Sequence, residues 1–338
     1  MPGPLLETLR GKIADRKPVW LMRQAGRYLP EYRALRAEKG GFLELVYDSE
    51  AAAEITLQPI RRFGFDGAIL FSDILIVPHA LGQDLQFLAG EGPHLSPRLV
   101  DVALESLTPA PHHFDPIYET VRLCRQQLPA DVTMLGFAGS PWTVATYMVA
   151  GQGSKDHHVA RTMAYGDPVA FGAIIDAIIE SSITYLSGQI EAGAEAVQLF
   201  DSWAGSLSPA QFERWVIEPT VRIVDAVRAR HPDIPIIGFP KGAGGKLPAY
   251  ARETGVDALG VDETVDPFWA NRELPEGLPV QGNLDPLLLI AGGEQLDKGA
   301  EQVLKAFEGR PHVFNLGHGI DKTTPIANVE RLLAIVRG

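Results

Sequence analysis

Ala196-Val197-Gln198-Leu199-Phe200-Asp201-Ser202-Trp203-Ala204-Gly205-Ser206-Leu207-Ser208-Pro209-Ala210-Gln211 holds one unit of the fold: a short apolar run, a polar break and a helix start. A run this short, bounded by turn-forming residues, reads as a buried strand. Ser208 before Pro209, with Gln211 three residues on, is the signature of a capped helix N-terminus with a capping box. The same order recurs along the chain. Strands read at 19–22, 67–71, 133–137, 196–200, 235–239, 258–261, 278–281 and 312–316, and Asp167-Pro168, Asp285-Pro286 and Thr324-Pro325 mark further helix starts. Eight strand-then-helix units without a compositional break favour one (β/α)8 TIM barrel over a doubly wound sheet. The expected architecture is a single-domain α/β barrel over residues 1–338, with its cleft at the C-terminal ends of the strands. Residues 1–17 form an N-terminal extension and 77–131 an insertion between strands two and three, where Gly90-Glu91-Gly92-Pro93 reads as a hairpin turn.

With 338 residues, 46% hydrophobic and 21% charged, the composition is that of an ordinary soluble globular protein. No apolar run reads as a membrane span, and the mixed-charge start does not look like a secretory signal, so the expected location is cytoplasmic. One cysteine, Cys124, excludes an internal disulfide and any thiolate cluster for a metal. A formal net charge of −12 argues against nucleic acid as a partner.

Against that acidic background stands Met22-Arg23-Gln24-Ala25-Gly26-Arg27-Tyr28-Leu29-Pro30-Glu31-Tyr32-Arg33. From Met22 to Lys39, five cations face two anions, a local balance of +3 in a chain of net −12. Arginine forks bind carboxylate or phosphate bidentately, so the stretch suits an anionic small molecule. A solvated helix face carrying Arg–Glu pairs would have the same composition.

In a barrel, the residues just after each strand form the active-site rim. Here they include Arg23-Gln24, Ser72-Asp73, Gly139-Ser140, Asp201-Ser202, Lys241-Gly242, Asp262-Glu263, Gly282-Asn283 and Gly317-His318-Gly319. Asp73 lies between apolar neighbours, where a carboxylate needs a partner; it is either a helix cap or a functional group. His318 between glycines is a turn histidine or a group that a ligand can approach closely. Tyr147 is compatible with the core or with the rim. Ser202 lacks the frame of a nucleophile and suits hydrogen bonding. Gly242-Ala243-Gly244-Gly245 meets no phosphate-loop spacing and reads as a flexible rim loop.

Together with Phe71-Ser72-Asp73-Ile74-Leu75, Gly139-Ser140-Pro141-Trp142-Thr143, Phe200-Asp201-Ser202-Trp203, Gln281-Gly282-Asn283-Leu284-Asp285-Pro286 and Asn315-Leu316-Gly317-His318-Gly319, the 22–33 block resembles the uroporphyrinogen decarboxylase family over nearly the whole chain. The resemblance implies a barrel enzyme, usually a homodimer with facing clefts. Its reaction converts the four acetates of uroporphyrinogen III to methyls, releasing coproporphyrinogen III and CO2, with no cofactor and no metal. Carried over by motif, Arg23, Gln24, Arg27 and Arg36 hold substrate carboxylates, and Asp73 accepts the pyrrole N–H groups under the macrocycle. Phe200 packs on the ring, while Tyr147, Ser202 and His318 meet its polar periphery. Asp73 and Arg23 are the catalytic candidates, and the proton donor is left open among Asp73, Arg23, His318 and a bound water. Two places depart from the family pattern: Ala150-Gly151-Gln152-Gly153-Ser154 after the Tyr147 segment, and Glu263 where a Trp is common. The alternatives are a zinc-dependent methyltransferase of the same superfamily, whose metal would need Cys124 in the predicted helix 118–128, and a non-enzymatic tetrapyrrole carrier.

Overall fold

The computed structural model describes residues 2–88 and 92–338. Its strands are β1 (Gly67–Ile69), β2 (Asp84–Leu88), β3 (Gly92–Ser96), β4 (Thr133–Gly139), β5 (Ala196–Asp201), β6 (Ile236–Pro240), β7 (Ala258–Gly260), β8 (Val280–Leu284) and β9 (His312–Leu316). Among the described residues, seven of these pair in parallel in the order β1-β4-β5-β6-β7-β8-β9, with helices between them. The expected eighth strand, at 19–22, is only a fragment. Val19 pairs in parallel with Phe314 of β9 and its carbonyl accepts Asp66 N at 3.0 Å, so this segment bridges the two edge strands and closes the barrel. It stops short because side chains take over from the ladder. Val19 N donates to Asp66 Oδ2 at 2.9 Å, Met22 N donates to Asn315 Oδ1 at 2.9 Å, and the chain then turns away.

The barrel interior is packed and carries a short chain of polar side chains. Trp20 Nε1 donates to Gln281 Oε1 at 3.0 Å, and Gln281 Nε2 donates to Gln198 Oε1 at 3.0 Å. These bonds offset the burial of the three side chains, and of their polar atoms Gln198 Nε2 is left without a partner.

Helix starts follow the expected caps in part. Asp167 caps Pro168–Ala192 through Ala170 N at 3.0 Å, and Asp285 caps Pro286–Ala291 through Leu287 N at 2.8 Å. No capping box forms at Ser208. The helix that starts at Pro209 runs through a π-helical stretch, Glu213–Ile217, into Glu218–Arg230, and Gln211 turns forward to accept Trp215 Nε1 at 2.8 Å. Thr324 makes no cap either: Pro325 takes the position before Ile326–Arg337. Pro168–Ala192 also corrects the reading of hydropathy, since its 25 residues are long and apolar enough to cross a bilayer. It packs instead on β4, β5 and neighbouring helices, burying Phe171, Ile174, Ile178, Tyr185 and Leu186 as a core helix.

In the segment 77–131, β2 and β3 form an antiparallel hairpin. Of its expected turn, Gly92 and Pro93 lie in β3, while Gly90 and Glu91 fall outside the described residues. The hairpin docks on the end of helix Pro141–Ala150, with Leu95 N donating to Gly151 O at 2.7 Å, which brings Phe87 and Pro93 to the mouth of the barrel.

Candidate active site

The turn at the end of the closing segment is built around two adjacent residues with opposite fates. Gln24 is fully buried; its Oε1 accepts Leu21 N at 3.0 Å and its Nε2 donates to Gly67 O at 2.8 Å. It therefore staples the turn to β1 and does not reach the cleft, contrary to its expected place among the carboxylate holders. Arg23 is exposed and sits at φ 62, a left-handed conformation unusual for a non-glycine residue. Such backbone is kept where the surroundings force it, often at functional sites. Gly319 makes room for the Arg23 side chain: a Cβ there would collide with Arg23 Cδ and Cγ. The glycines around His318 thus admit protein atoms, since a Cβ at Gly317 would likewise strike the backbone of Glu263.

Arg23, Arg27 and Arg36 line one side of a cavity of about 1100 Å³ at the C-terminal ends of the strands. Among the described residues none of the three enters an ion pair, whereas Glu31, in the first turn of the helix Pro30–Lys39 that carries Arg36, pairs with Arg62 at 2.7 Å. The solvated-face reading therefore holds for Glu31 and not for the three arginines.

Asp73 lies after β1. Phe71 N is held by Thr56 Oγ1 at 3.0 Å, and the chain then bends so that Asp73 Oδ1 accepts Leu75 N at 2.9 Å, ahead of helix Ile76–Ala80. The carboxyl thus supports a turn through one oxygen and leaves the other toward the cavity. Burial raises its pKa to about 6, against the pull of the Leu75 N–H and the charge of Arg23. Tyr147, Phe200, Ser202 and His318 line the same cavity. Burial and then the charge of Asp73 push the Tyr147 hydroxyl up. Phe200 is held edge-on by Phe137 at 5.5 Å and Phe239 at 6.0 Å, presenting an apolar face to the opening. His318 is driven down to about 3 by burial and by the charges of Arg23 and Lys241, with Asp262 opposing, so its imidazole is neutral at pH 7.

An aromatic wall escaped the sequence reading. Tyr32 and Phe42 pack on Phe71 at 5.9 and 5.4 Å, Phe87 packs on Phe42 at 4.7 Å, and all four border the cavity with Lys322. Nothing in the sequence marks them, since an aromatic residue at the cavity wall has the same pattern as one in the core. The loop 242–245 holds the short helix Gly244–Lys246, pinned by Gly242 N on Asp262 Oδ2 at 2.8 Å, and does not line the cavity. Cys124 is buried in helix Asp115–Gln127, its thiol pushed up to about 12 by burial, far in the fold from the strand ends.

A cation arc, a buried carboxyl at Asp73 with a second, Asp321, at the rim already bonded to Thr323, and an apolar wall together suit a polycarboxylate with an aromatic, N–H-bearing body. The family model described as uroporphyrinogen decarboxylase (URO-D) matches residues 3–338. The chain belongs to this family. A uroporphyrinogen decarboxylase of Novosphingobium aromaticivorans is 72% identical over 338 residues, covering 100% of this chain and 99% of the relative. One of Paracoccus denitrificans is 52% identical over 337 residues, covering 99% and 98%. Among solved structures, a methyltransferase from Methanosarcina mazei superposes with a TM-score of 0.83 at 20% identity, covering 98% of this chain and 97% of that one, a likeness of fold alone. The enzyme is thus a uroporphyrinogen decarboxylase family barrel in which both departures from the family pattern have a local account. Gly151, at φ 78, ends helix Pro141–Ala150 and pairs with the hairpin, and Gly153 passes beside the Tyr147 ring. Glu263 lies 3.9 Å from Lys241 at the mouth.

Proposed function

We propose that the cleft removes the four acetate carboxyls of uroporphyrinogen III, giving coproporphyrinogen III and CO2 in tetrapyrrole biosynthesis, without a cofactor, in a cytoplasmic homodimer. The observation that carries the chemistry is Asp73, with one oxygen committed to Leu75 N and the other toward a cavity whose facing side is cationic.

A pyrrole acetate resists losing CO2 because the electrons left behind enter an electron-rich ring. Protonation of the ring carbon adjacent to the one that bears the acetate converts that ring into an electron sink, with positive charge shared between nitrogen and the acetate-bearing carbon. Ionised Asp73 accepts the pyrrole N–H groups and stabilises that charge as it develops, from a position fixed before the reaction starts. The carbon–carboxyl bond then breaks, its electron pair neutralises the ring, and CO2 leaves. Protonation of the exocyclic carbon and loss of the ring proton complete the methyl, one proton being consumed per turnover. His318, neutral at pH 7, serves as a hydrogen-bonding group and not as an imidazolium donor. Arg23, Arg27 and Arg36 hold the remaining carboxylates, and Phe200 with the aromatic wall packs on the macrocycle, so that remote binding aligns the reacting ring.

The test is anaerobic incubation of chelator-dialysed protein with reduced uroporphyrin III, followed by chromatography of the oxidised products. Coproporphyrin with CO2 release is expected. Tight binding with no loss of carboxyl would make the protein a carrier, and dependence on added zinc would favour methyltransferase-like chemistry.

A further inference from the structure

We infer that a basic depression beside the cleft is an outer anion site that holds partly decarboxylated tetrapyrroles between rounds, an inference that rests on the function proposed above. The depression encloses about 750 Å³ and is bordered by Arg27, Arg33, Arg36 and Lys322, with Ala37 and Thr323 between them. No carboxylate is among the described residues that line it. The nearby Asp321 directs Oδ1 to Thr323, accepting its N–H at 2.7 Å and its hydroxyl at 2.6 Å. Arg27, Arg36 and Lys322 border both the depression and the catalytic cavity, so three cations are shared between the two, with the Asp321 carboxylate beside them on the cavity side. Arg33 belongs to the depression alone. Its Nη1 donates to the carbonyls of Arg27 at 2.7 Å and Tyr28 at 3.0 Å, which fixes it in place.

The chemistry gives such a track a use. The four acetates sit on four different rings, and one Asp73 serves them all. Between rounds the macrocycle must leave Asp73 and turn over. If cations ended at the cavity, leaving would mean diffusing away from a protein of net charge −12. Where they continue outward, some carboxylates stay held while the rest reorient, and re-entry is effectively intramolecular. Charge also sets the order of release. Exposed ion pairs are individually weak, so retention depends on how many form together, and the product has half the carboxylates of the substrate.

Ala37 and Ala34 are exposed on the same helix, Pro30–Lys39; Ala37 lines the depression and Ala34 lines neither space. Ala37→Glu places a carboxylate in the depression without removing a cation, and Ala34→Glu makes the same charge change elsewhere at little cost in helix propensity. With substrate in excess, Ala37→Glu should release hepta-, hexa- and pentacarboxylate intermediates about threefold more than wild type or Ala34→Glu. The single-turnover rate of the first decarboxylation should not change. Identical intermediate distributions in all three proteins would overturn the proposal, as would equal slowing of every step, which would make the depression a steering surface only. Titration with oxidised uroporphyrin, which cannot react, judges the site separately: a second, salt-sensitive binding step, weakened in Ala37→Glu, is expected. Its absence from wild type overturns the outer site even if decarboxylation proceeds, whereas a wild type that binds in two steps but forms no product fails only the function proposed above.

Discussion

Two barrel strands reach the mouth with the same three residue types in different order: Phe71-Ser72-Asp73 after β1 and Phe200-Asp201-Ser202 at the end of β5. At the extended end of β5, Phe200 and Ser202 share one face, while Phe71 and Asp73 lie on the bend that follows β1. All four line the cavity. The intervening residue is bonded to the protein in both, but Ser72 still lines the cavity whereas Asp201 does not. Ser72 Oγ lies 3.2 Å from the Tyr185 hydroxyl, and Asp201, 1% exposed, accepts the Thr143 hydroxyl on Oδ1 at 2.5 Å. Burial raises both carboxyls, Asp73 to about 6 and Asp201 to about 7. A raised pKa therefore does not distinguish the functional acid from the structural one. What distinguishes them is the direction of the unused oxygen: toward the cavity in Asp73, into a packed interior in Asp201.

The sharpest way to break this contrast is Asp73→Asn against Asp201→Asn. Losing the fixed negative charge beneath the pyrrole N–H groups should lower kcat/KM by about a thousandfold or more at Asp73, a scale typical of removing a preorganised electrostatic group. At Asp201 the loss should stay within about fivefold, because that carboxyl does not touch the cavity. Steady-state kinetics on both variants decides it, and comparable losses would mean that the two acids share the chemistry. Wild-type kcat/KM should also fall on the acid side of about 6, where Asp73 gains a proton, and Asp73→Asn should lack that limb.

Much of this contrast is legible from residues alone. Asp73 and Ser202 fall just after expected strands, where a barrel has its rim, and the arginines stand out because their sign opposes that of the chain. Gln24 did not separate from Arg23 in the same way, because both are polar residues beside a strand end. Only the position of Gly67 O and the left-handed turn at Arg23 send one inward and the other out. Tyr32, Phe42 and Phe87 were hidden because their composition matches that of the core, and Lys322 because it reads as an ordinary surface lysine. The incomplete strand at 19–22 has a similar cause: its apolar pattern is that of a strand, but Asp66 and Asn315 from neighbouring segments take its N–H groups.

Thr143→Val probes the buried side of the contrast with nearly constant volume. Thr143 Oγ1 donates to Asp201 and accepts Trp203 N at 3.0 Å, so its loss unpairs groups on both sides. Unfolding in urea should show a destabilisation of about 1–3 kcal/mol, the scale of leaving buried polar groups without partners. Activity should fall less than stability suggests, since Phe200 is held by β5 itself and Ser202 follows directly on its end. A drop in kcat as large as that of Asp73→Asn would mean that the Thr143–Asp201 pair positions the cleft.

The smallest effect is expected in the pH dependence of stability, and its sign is fixed by the direction of the shifts. The native state keeps a proton on Asp201 up to about 7, while the unfolded chain releases it near the ordinary value of 3.8. Between those limits the native protein binds more protons, so its stability falls as pH rises. Asp201→Asn cannot titrate and should lose less stability than wild type between pH 5 and pH 8, by on the order of 1 kcal/mol after allowing for the amide hydrogens that the new side chain brings into a packed site. Asp73 contributes a slope of the same sign, ending near 6, which Asp201→Asn leaves in place. Urea midpoints at the two pH values measure the difference. Parallel curves for wild type and Asp201→Asn would mean that Asp201 is ionised in the native state, and the contrast between the two carboxyls would then rest on their positions alone.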